Sequence, residues 1–379
     1  MTNDECGMTN EALALTDFFT KNRDPPSSSF VIMNPVRFAL AGFGAWGKFH
    51  AQSIAANPDA KLVAIAAPSE ASREEARRLH PDARIFSHSL AMIAEADFDI
   101  IDIATPSHTH RALALAAMAK GAHVLLEKPM ATTLEDCKAI VAAARKYGVH
   151  LAVGHEFRLS SQWGEIKKII ERGTIGEPQY VLVELSRKPY RLGAEGWRYD
   201  PARVGSWVLE EPIHFFDLAR WYLEGSGDPI ELHAYGNSRD PQRPQLFDNF
   251  SAMFRCANGS YAVVSQTLAA FEHHQTVKVS GTKGALWAGW SGALDRTLEP
   301  SAFMKVFDGE TLHEVKLEKQ SGEVFELREE IARCVAMVRH GTKPAASGLD
   351  GLWSAGLCLV AEESIRQQRP LPVAEMLKF

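Results

Sequence analysis

Three observations predict an α/β chain in which an N-terminal, doubly wound parallel sheet is followed by an α+β domain with a large, mostly antiparallel open sheet. Short apolar runs alternate with amphipathic stretches from residue 36 to about 157, the rhythm of parallel strands joined by crossover helices. A glycine-rich turn separates the first apolar run from the first amphipathic stretch. Beyond about residue 160 apolar residues recur at every second position, and Asn258-Gly259 and Asp308-Gly309 supply hairpin turns.

Taken in order, "VRFALAGFGAWGKFHAQSIAA" (36–56) reads as strand, turn and helix, and "AKLVAIAA" (60–67) as a second strand before a charged helix over 69–80. "FDIIDIATP" (98–106) is a buried strand, and the helix "HTHRALALAAMAKG" leads into "HVLLEKPMA" (123–131), a strand that ends abruptly in Glu127–Lys128–Pro129. "LEDCKAIVAAARKYG" (134–148) is amphipathic with Gly148 as its C-cap, and "VHLAVGHEF" (149–157) adds one more strand. In the second part, strands are expected at 179–187, 230–238, 249–269 and 274–290, interrupted by the helix "EPIHFFDLARWYLEG" (211–225). The closing helices "EVFELREEIARCVAMVRHG" and "GLWSAGLCLVAEESIRQQ" are expected to pack back on the first domain. The expected boundaries are a flexible extension at 1–34, a first domain at 35–157, a second at 158–330 and C-terminal helices at 331–379. The extension carries a Pro-Pro-Ser-Ser-Ser linker and an alternative start at Met33.

Composition narrows the classes of function. A chain of 379 residues exceeds one compact core, and 46% hydrophobic with 23% charged residues is ordinary globular usage. The net charge of −6 argues against a nucleic-acid or anionic-membrane partner. No uncharged apolar run reaches the roughly 18–20 residues that span a bilayer. The five cysteines, at 6, 137, 256, 334 and 358, form no CxxC pair. They read as reduced thiols of a cytoplasmic protein, with no metal site.

The turn "GFGAWG" (42–47) matches GxGxxG with Gly42, Gly44 and Gly47. The first glycine permits the turn, the second lets a pyrophosphate approach the backbone, and the third lets helix and strand pack closely. The intervening Phe43, Ala45 and Trp46 share that loop. Its place between strand and helix marks residues 35–157 as a Rossmann dinucleotide-binding domain for NAD or NADP. The acid expected at the end of the second strand is absent: Ala67 is followed by "PSEASR". Ser69 and Arg73 would suit a 2′-phosphate and Glu70 a free 2′-hydroxyl, so the choice of cofactor stays open.

Ligands bind outside the carboxyl ends of the strands in such a sheet. Three of those ends carry polar groups: "ATPSHTH" (104–110), with Thr105, Pro106, His108 and His110; "EKP" (127–129); and "GHEFR" (154–158). With the glycine turn, this set resembles the Gfo/Idh/MocA family (glucose–fructose oxidoreductase / inositol 2-dehydrogenase) over nearly everything from Val36 to the C-terminus. The resemblance implies that Lys128 lies beside the nicotinamide and hydrogen-bonds the reacting hydroxyl of a sugar or polyol. It further implies that Glu127 contacts the nicotinamide side of the cofactor and Pro129 fixes the turn. A lysine beside a cationic ring is expected to have a lowered pKa.

A second family signature reads here "GSWVLEEPIHFFD". The resemblance makes His214 the general base and Glu210, four residues earlier, its orienter or a substrate ligand. The two share a helical face if the helix begins that early. Glu210 stands where the family has Asp, Pro212 where it has Gly, and Ser206-Trp207 where it has small residues, so a reshaped pocket is expected. Between the signatures, "SRKPYRLGAEGWRYDPAR" (186–203) gathers Arg187, Lys188, Arg191, Arg198 and Arg203, with Tyr199 among them. This segment is either a solvated loop balanced by Glu195 and Asp200, or, together with Arg158, a fork for an anionic substituent.

The reading that follows is an NAD(P)-dependent sugar or polyol dehydrogenase that assembles as a homodimer or homotetramer. Its rival is a redox-neutral, NAD-dependent glycoside hydrolase working through a transient keto sugar, for example on an acidic or sulfonated glycoside. A non-catalytic dinucleotide sensor is the third reading. Net reduced nucleotide, released aglycone, or neither distinguishes the three.

Overall fold

The computed structural model describes residues 34–377, Ala269 apart, so the extension expected at 1–34 lies, except for Asn34, outside the described residues. The first sheet takes its strands from β1 (Val36–Ala41), β2 (Ala60–Ala66), β3 (Arg84–Phe86), β4 (Ile100–Ile103), β5 (His123–Leu126) and β6 (Leu151–Val153). Between them run α1 (Ala45–Ala56), α2 (Glu70–Leu79), α3 (Ser89–Glu95), α4 (His110–Ala119) and α5 (Leu134–Tyr147). All neighbours are parallel, in the order β3-β2-β1-β4-β5-β6. Strand order reverses between β1 and β4, the switch point at which a doubly wound sheet opens a crevice for ligand. Phe38, Ala39, Leu40 and Ala41 are all buried because helices cover both faces.

After α6 (Trp163–Glu171), the second sheet is built from β7 (Pro178–Arg187), β8 (Pro229–Asn237), β9 (Asn249–Cys256), β10 (Tyr261–Thr267), β11 (His273–Gly281), β12 (Ala285–Gly292), β13 (Ser301–Phe307) and β14 (Leu312–Glu314). The helices α7 (Pro201–Val204) and α8 (Pro212–Tyr222) lie between β7 and β8, and α9 (Glu323–His340), α10 (Gly348–Gln367), β15 (Leu371–Pro372) and α11 (Val373–Met376) follow β14. Strand order is β14-β13-β12-β11-β7-β10-β9-β8-β15, antiparallel except where β7 meets β10. The two-residue alternation places Val181, Val183 and Leu185 inward. Gly259 and Gly309 adopt positive φ at the two expected hairpins.

The structure departs from the expected boundaries in three places. Residue 331 falls inside the continuous helix α9, whose Ile331, Cys334, Val335 and Met337 share a core with Phe38 and Leu40. The C-terminal segment also serves the second sheet, since β15 pairs with β8, and the described residues from Pro35 onward form one compact unit. The strand expected over 149–157 stops at Val153, and the chain turns through a 3-10 segment, Glu156–Leu159.

Candidate active site

The carboxyl ends of β1, β4, β5 and β6 converge, and α8 and α9 bring further groups against them. β5 ends in Glu127, whose carboxylate accepts a hydrogen bond from Trp46 Nε1 (2.8 Å) in the glycine turn. It also lies 3.0 Å from His50 Nε2, an ion-pair distance although the angle is poor for a hydrogen bond. His50 Nδ1 in turn meets Asp102 on β4 at 2.7 Å, and both side chains are wholly enclosed. Burial alone would strip His50 of its proton, but Asp102 and Glu127 reverse this and hold its pKa well above the usual 6.5. Burial likewise pushes Glu127 up, and is outweighed by His50, Lys128 and Trp46, so the carboxyl stays ionised.

Lys128 Nζ donates to the backbone oxygen of Glu210 (2.8 Å). The expected lowering of its pKa is not found. Burial acts in that direction, but Glu210, Glu156, Glu127 and Glu323 together raise the value above 10.5, which keeps the side chain an ammonium.

His214 occupies the first turn of α8, and 1% of it is exposed. Phe157 stacks on its ring (4.6 Å, 25°) and His155 meets it edge-on at 5.6 Å. Neither ring nitrogen has a hydrogen-bond partner among the described residues. Burial first, then the Lys128 and His155 charges, push its pKa well below 6.5 and leave a neutral imidazole. The group facing Nε2 is Glu156, whose Oε1 lies 3.7 Å away.

Three expectations fail here for identifiable reasons. Glu210 precedes α8, which begins at Pro212, so it does not share a helical face with His214; its carboxylate pairs with Arg198. Arg158 forks onto both carboxylate oxygens of Asp217 (2.7 Å each) and reaches Asp350 at 3.2 Å, a buried lock between α8 and α10. Arg187 is bound by Glu211 and Asp295, the exposed Arg191 approaches Asp295 at 3.5 Å, and Tyr199 gives its hydroxyl proton to the Tyr190 carbonyl (2.9 Å). With Arg203 near Glu195 at 3.5 Å, the five arginines expected to form an anion fork thus already face carboxylates.

On the cofactor side, His110 is a strut. Its nitrogens face the carbonyls of Pro129 (2.9 Å) and Thr105 (2.8 Å), tying the "TP" turn to the "EKP" turn. Thr105 bonds the Thr109 hydroxyl (2.7 Å), His108 is exposed at the rim, and Phe43 points into the core. Ser69 caps α2 through Ser72, while Arg73 folds onto the Ala67 and Pro68 carbonyls and onto Glu70. Four residues of the network went unread: His50, Asp102, Glu156 and Glu323. An aspartate inside the apolar run "IIDIA" was a readable sign, because such strands bury both faces.

Residues 36–155 match the oxidoreductase family with an NAD-binding Rossmann fold, and residues 163–287 match the GFO/IDH/MocA C-terminal domain. The chain belongs to the Gfo/Idh/MocA family. Among its relatives is inositol 2-dehydrogenase of Rhizobium meliloti, 28% identical over 353 residues, covering 89% of this chain and 99% of the relative. Levoglucosan dehydrogenase of Pseudarthrobacter phenanthrenivorans is 29% identical over 291 residues, covering 67% of this chain and 73% of the relative. The WlbA dehydrogenase of Bordetella pertussis, solved with NADH and UDP-GlcNAcA, superposes with a TM-score of 0.72 at 26% identity, covering 89% of this chain and 99% of that one.

As a Gfo/Idh/MocA member the chain is an NAD(P)-dependent oxidoreductase, and its glycine turn fits a dinucleotide. A Cβ on Gly47 would lie 2.1 Å from the Gly42 oxygen, so helix and turn touch there. A Cβ on Gly44 would meet no described atom within 4 Å beyond its chain neighbours and the backbone of α1, leaving open the approach a pyrophosphate needs. The first turn of α1 has neither an acidic residue nor a side-chain cap, so its N–H groups are free to face phosphate. Among the described residues no helix is long and apolar enough to cross a membrane, and no cluster of ligating side chains could hold a metal.

Proposed function

We propose that this enzyme oxidises a secondary hydroxyl of an uncharged sugar or polyol with NAD. The carrying observation is a buried His214 whose two ring nitrogens have no hydrogen-bond partner among the described residues and on which the Lys128 charge acts. An imidazole without partners inside a protein is costly unless a substrate completes it. His214 takes the hydroxyl proton, and Lys128 steadies the developing charge on that oxygen. Bound NAD supplies the hydride acceptor, and the Glu127 carboxylate, held charged by His50, favours a cationic ring beside it. Electrostatics supports an uncharged substrate: Glu127 and Glu210 act on Lys128, and each arginine of the expected fork already faces a carboxylate. NAD is favoured over NADP because Glu70 already claims Arg73, the cation a 2′-phosphate would need. The exposed Tyr235, Met253, Trp287 and Phe303 on the second sheet support a homo-oligomer.

The test offers neutral polyols, neutral sugars, acidic sugars and aryl glycosides with each nucleotide, following reduced nucleotide and free aglycone together. NADH formation from a neutral polyol is expected. Aglycone release without NADH would establish the glycosidase reading instead, and a strong preference for the acidic sugar would overturn the uncharged substrate.

A further inference from the structure

We infer that Glu156 is the proton partner of His214: it gives up its own proton as His214 gains one from the substrate. The inference rests on the reading of His214 as the base, and it assigns to Glu156 the positioning part that the family pattern would give to Glu210.

Geometry puts Glu156 there. It opens the 3-10 turn after β6, one residue before the Phe157 ring that stacks on His214. Oε1 stands 3.7 Å from Nε2, and the two residues are 2% and 1% exposed. That gap exceeds a hydrogen bond by about half an ångström, a looseness expected before substrate closes a site. Glu210 cannot serve, because its carboxylate is turned to Arg198.

The charges facing the pair come from every element around it. Lys128 and Glu127 project from the end of β5, His155 precedes Glu156, and Glu211 stands just before α8. Glu323 and Glu330 arrive from α9. Burial first, then Glu127, Glu330 and Glu323, push the Glu156 carboxyl well above 4.5, while burial, Lys128 and His155 push His214 down. Both shifts favour Glu156 over His214 as the holder of a shared proton.

The step then balances. The substrate O–H bond breaks and an N–H bond forms on His214, giving an imidazolium. The Glu156 O–H bond breaks, its proton leaves to solvent, and a carboxylate faces the new cation. The pair begins as two neutral groups and ends as one cation and one anion, so its net charge stays at zero in a site that would otherwise bury a lone charge. Transfer of the imidazolium proton to Glu156 restores the starting state, and the sum is one substrate proton released to water.

The experiment compares wild type, Glu156→Gln and Glu156→Asp. Glutamine copies the shape of the protonated carboxyl, and melting curves first establish that both variants fold. In apoprotein labelled with 15N-histidine, the His214 ring nitrogens are assigned by their loss in His214→Gln. In wild type they should shift as Glu156 titrates, above the usual carboxylate range, and in Glu156→Gln that inflection should vanish. With a polyol substrate, Glu156→Gln should lower kcat by roughly 10–10³-fold. It should also flatten the rise of kcat with pH and leave KM and the NAD affinity near wild type. Glu156→Asp should restore part of both effects. Identical nitrogen titrations in wild type and Glu156→Gln would overturn the inference, as would a wild-type kcat and pH profile in that variant. If the nitrogens couple as expected but no polyol is oxidised, the proposed function fails and the pairing stands.

Discussion

Two of the buried histidines in the site have opposite fates. His50 stands between Asp102 (2.7 Å) and Glu127 (3.0 Å) and is held as a cation. His214 is equally enclosed, has no hydrogen-bond partner among the described residues, and is held neutral. Burial pushes both toward neutrality, so burial does not separate them. What separates them is whether carboxylates or an ammonium act more strongly on the ring. The first arrangement has carboxylates on both sides of the ring and ties the end of β5 to β4; the second has no hydrogen-bond partner among the described residues and awaits a substrate. An enzyme needs both, because the reactive group must be aimed by groups that do not themselves react.

The hardest way to break this comparison is to remove the ammonium that lies beside both carboxylates and imidazole. Lys128→Met should lower kcat by about 10⁴-fold, roughly 5.5 kcal/mol. NAD affinity, read by quenching of tryptophan fluorescence, should change little. The His214 pKa should rise as well, since Lys128 is one of the charges depressing it. A variant retaining a tenth of wild-type kcat would remove Lys128 from the chemistry.

His214→Gln comes next and touches only the second arrangement. A decrease in kcat of roughly 10²–10⁴-fold is expected from loss of a general base, with little change in melting temperature because the nitrogens bond nothing among the described residues. Wild-type kcat/KM should lose activity in acid only well below pH 6.5, the direction in which burial and Lys128 move His214. A wild-type acid limb centred at an ordinary histidine value would show that the imidazole is solvated and the burial argument wrong.

His50→Ala attacks the first arrangement and should act on stability. It leaves Asp102 and Glu127 buried without their cation, a loss on the order of 3–5 kcal/mol. The sign with pH follows from a raised histidine pKa. The stabilisation is whole below about pH 6.5 and is lost as pH rises through the higher folded value. The gap in melting temperature between wild type and variant should therefore be widest near neutrality and close toward high pH. It should narrow again in acid as the two carboxyls accept protons. A gap independent of pH would mean that the imidazole only fills space.

These two histidines also show how far the sequence could be read. The glycine turn, the ammonium at the end of β5 and the histidine on α8 are local patterns whose chemistry is written in neighbouring residues, and the structure brings all three to one sheet edge. Pairings across long separations were not legible. His50 and Asp102 are 52 residues apart and Arg158 and Asp217 are 59 apart, so a charge was visible and its partner was not. That is why Arg158 read as a substrate ligand and proves to be a lock, and why the "GHEFR" turn drew attention to its arginine while Glu156 faces the base. Short elements such as β3 and α3 went unread for another reason: three to seven residues carry too little periodicity to stand out.

The smallest effect concerns Glu330, the carboxyl that α9 presents to the back of the first arrangement. It is 6% exposed, and Oε2 has no hydrogen-bond partner among the described residues. Burial first, then the Glu127 charge, raise its pKa well above 4.5, with His50 acting the other way. A raised carboxyl pKa means that its stabilising share is complete below about pH 4.5 and disappears as pH rises through the folded value. Above that range the protein holds either a proton at a cost or a buried anion beside Glu127. Glu330→Gln keeps the shape of the protonated acid and removes the ionisation. It should therefore raise stability by about 1 kcal/mol at neutral and mildly alkaline pH. Near pH 4 the difference should vanish. Melting temperatures of wild type and variant across that range decide the matter. A glutamine variant that is less stable in alkali would mean Glu330 is ionised and paired through water, and would place a second anion behind Glu127. The charge on His50 would then rest on three carboxylates instead of two.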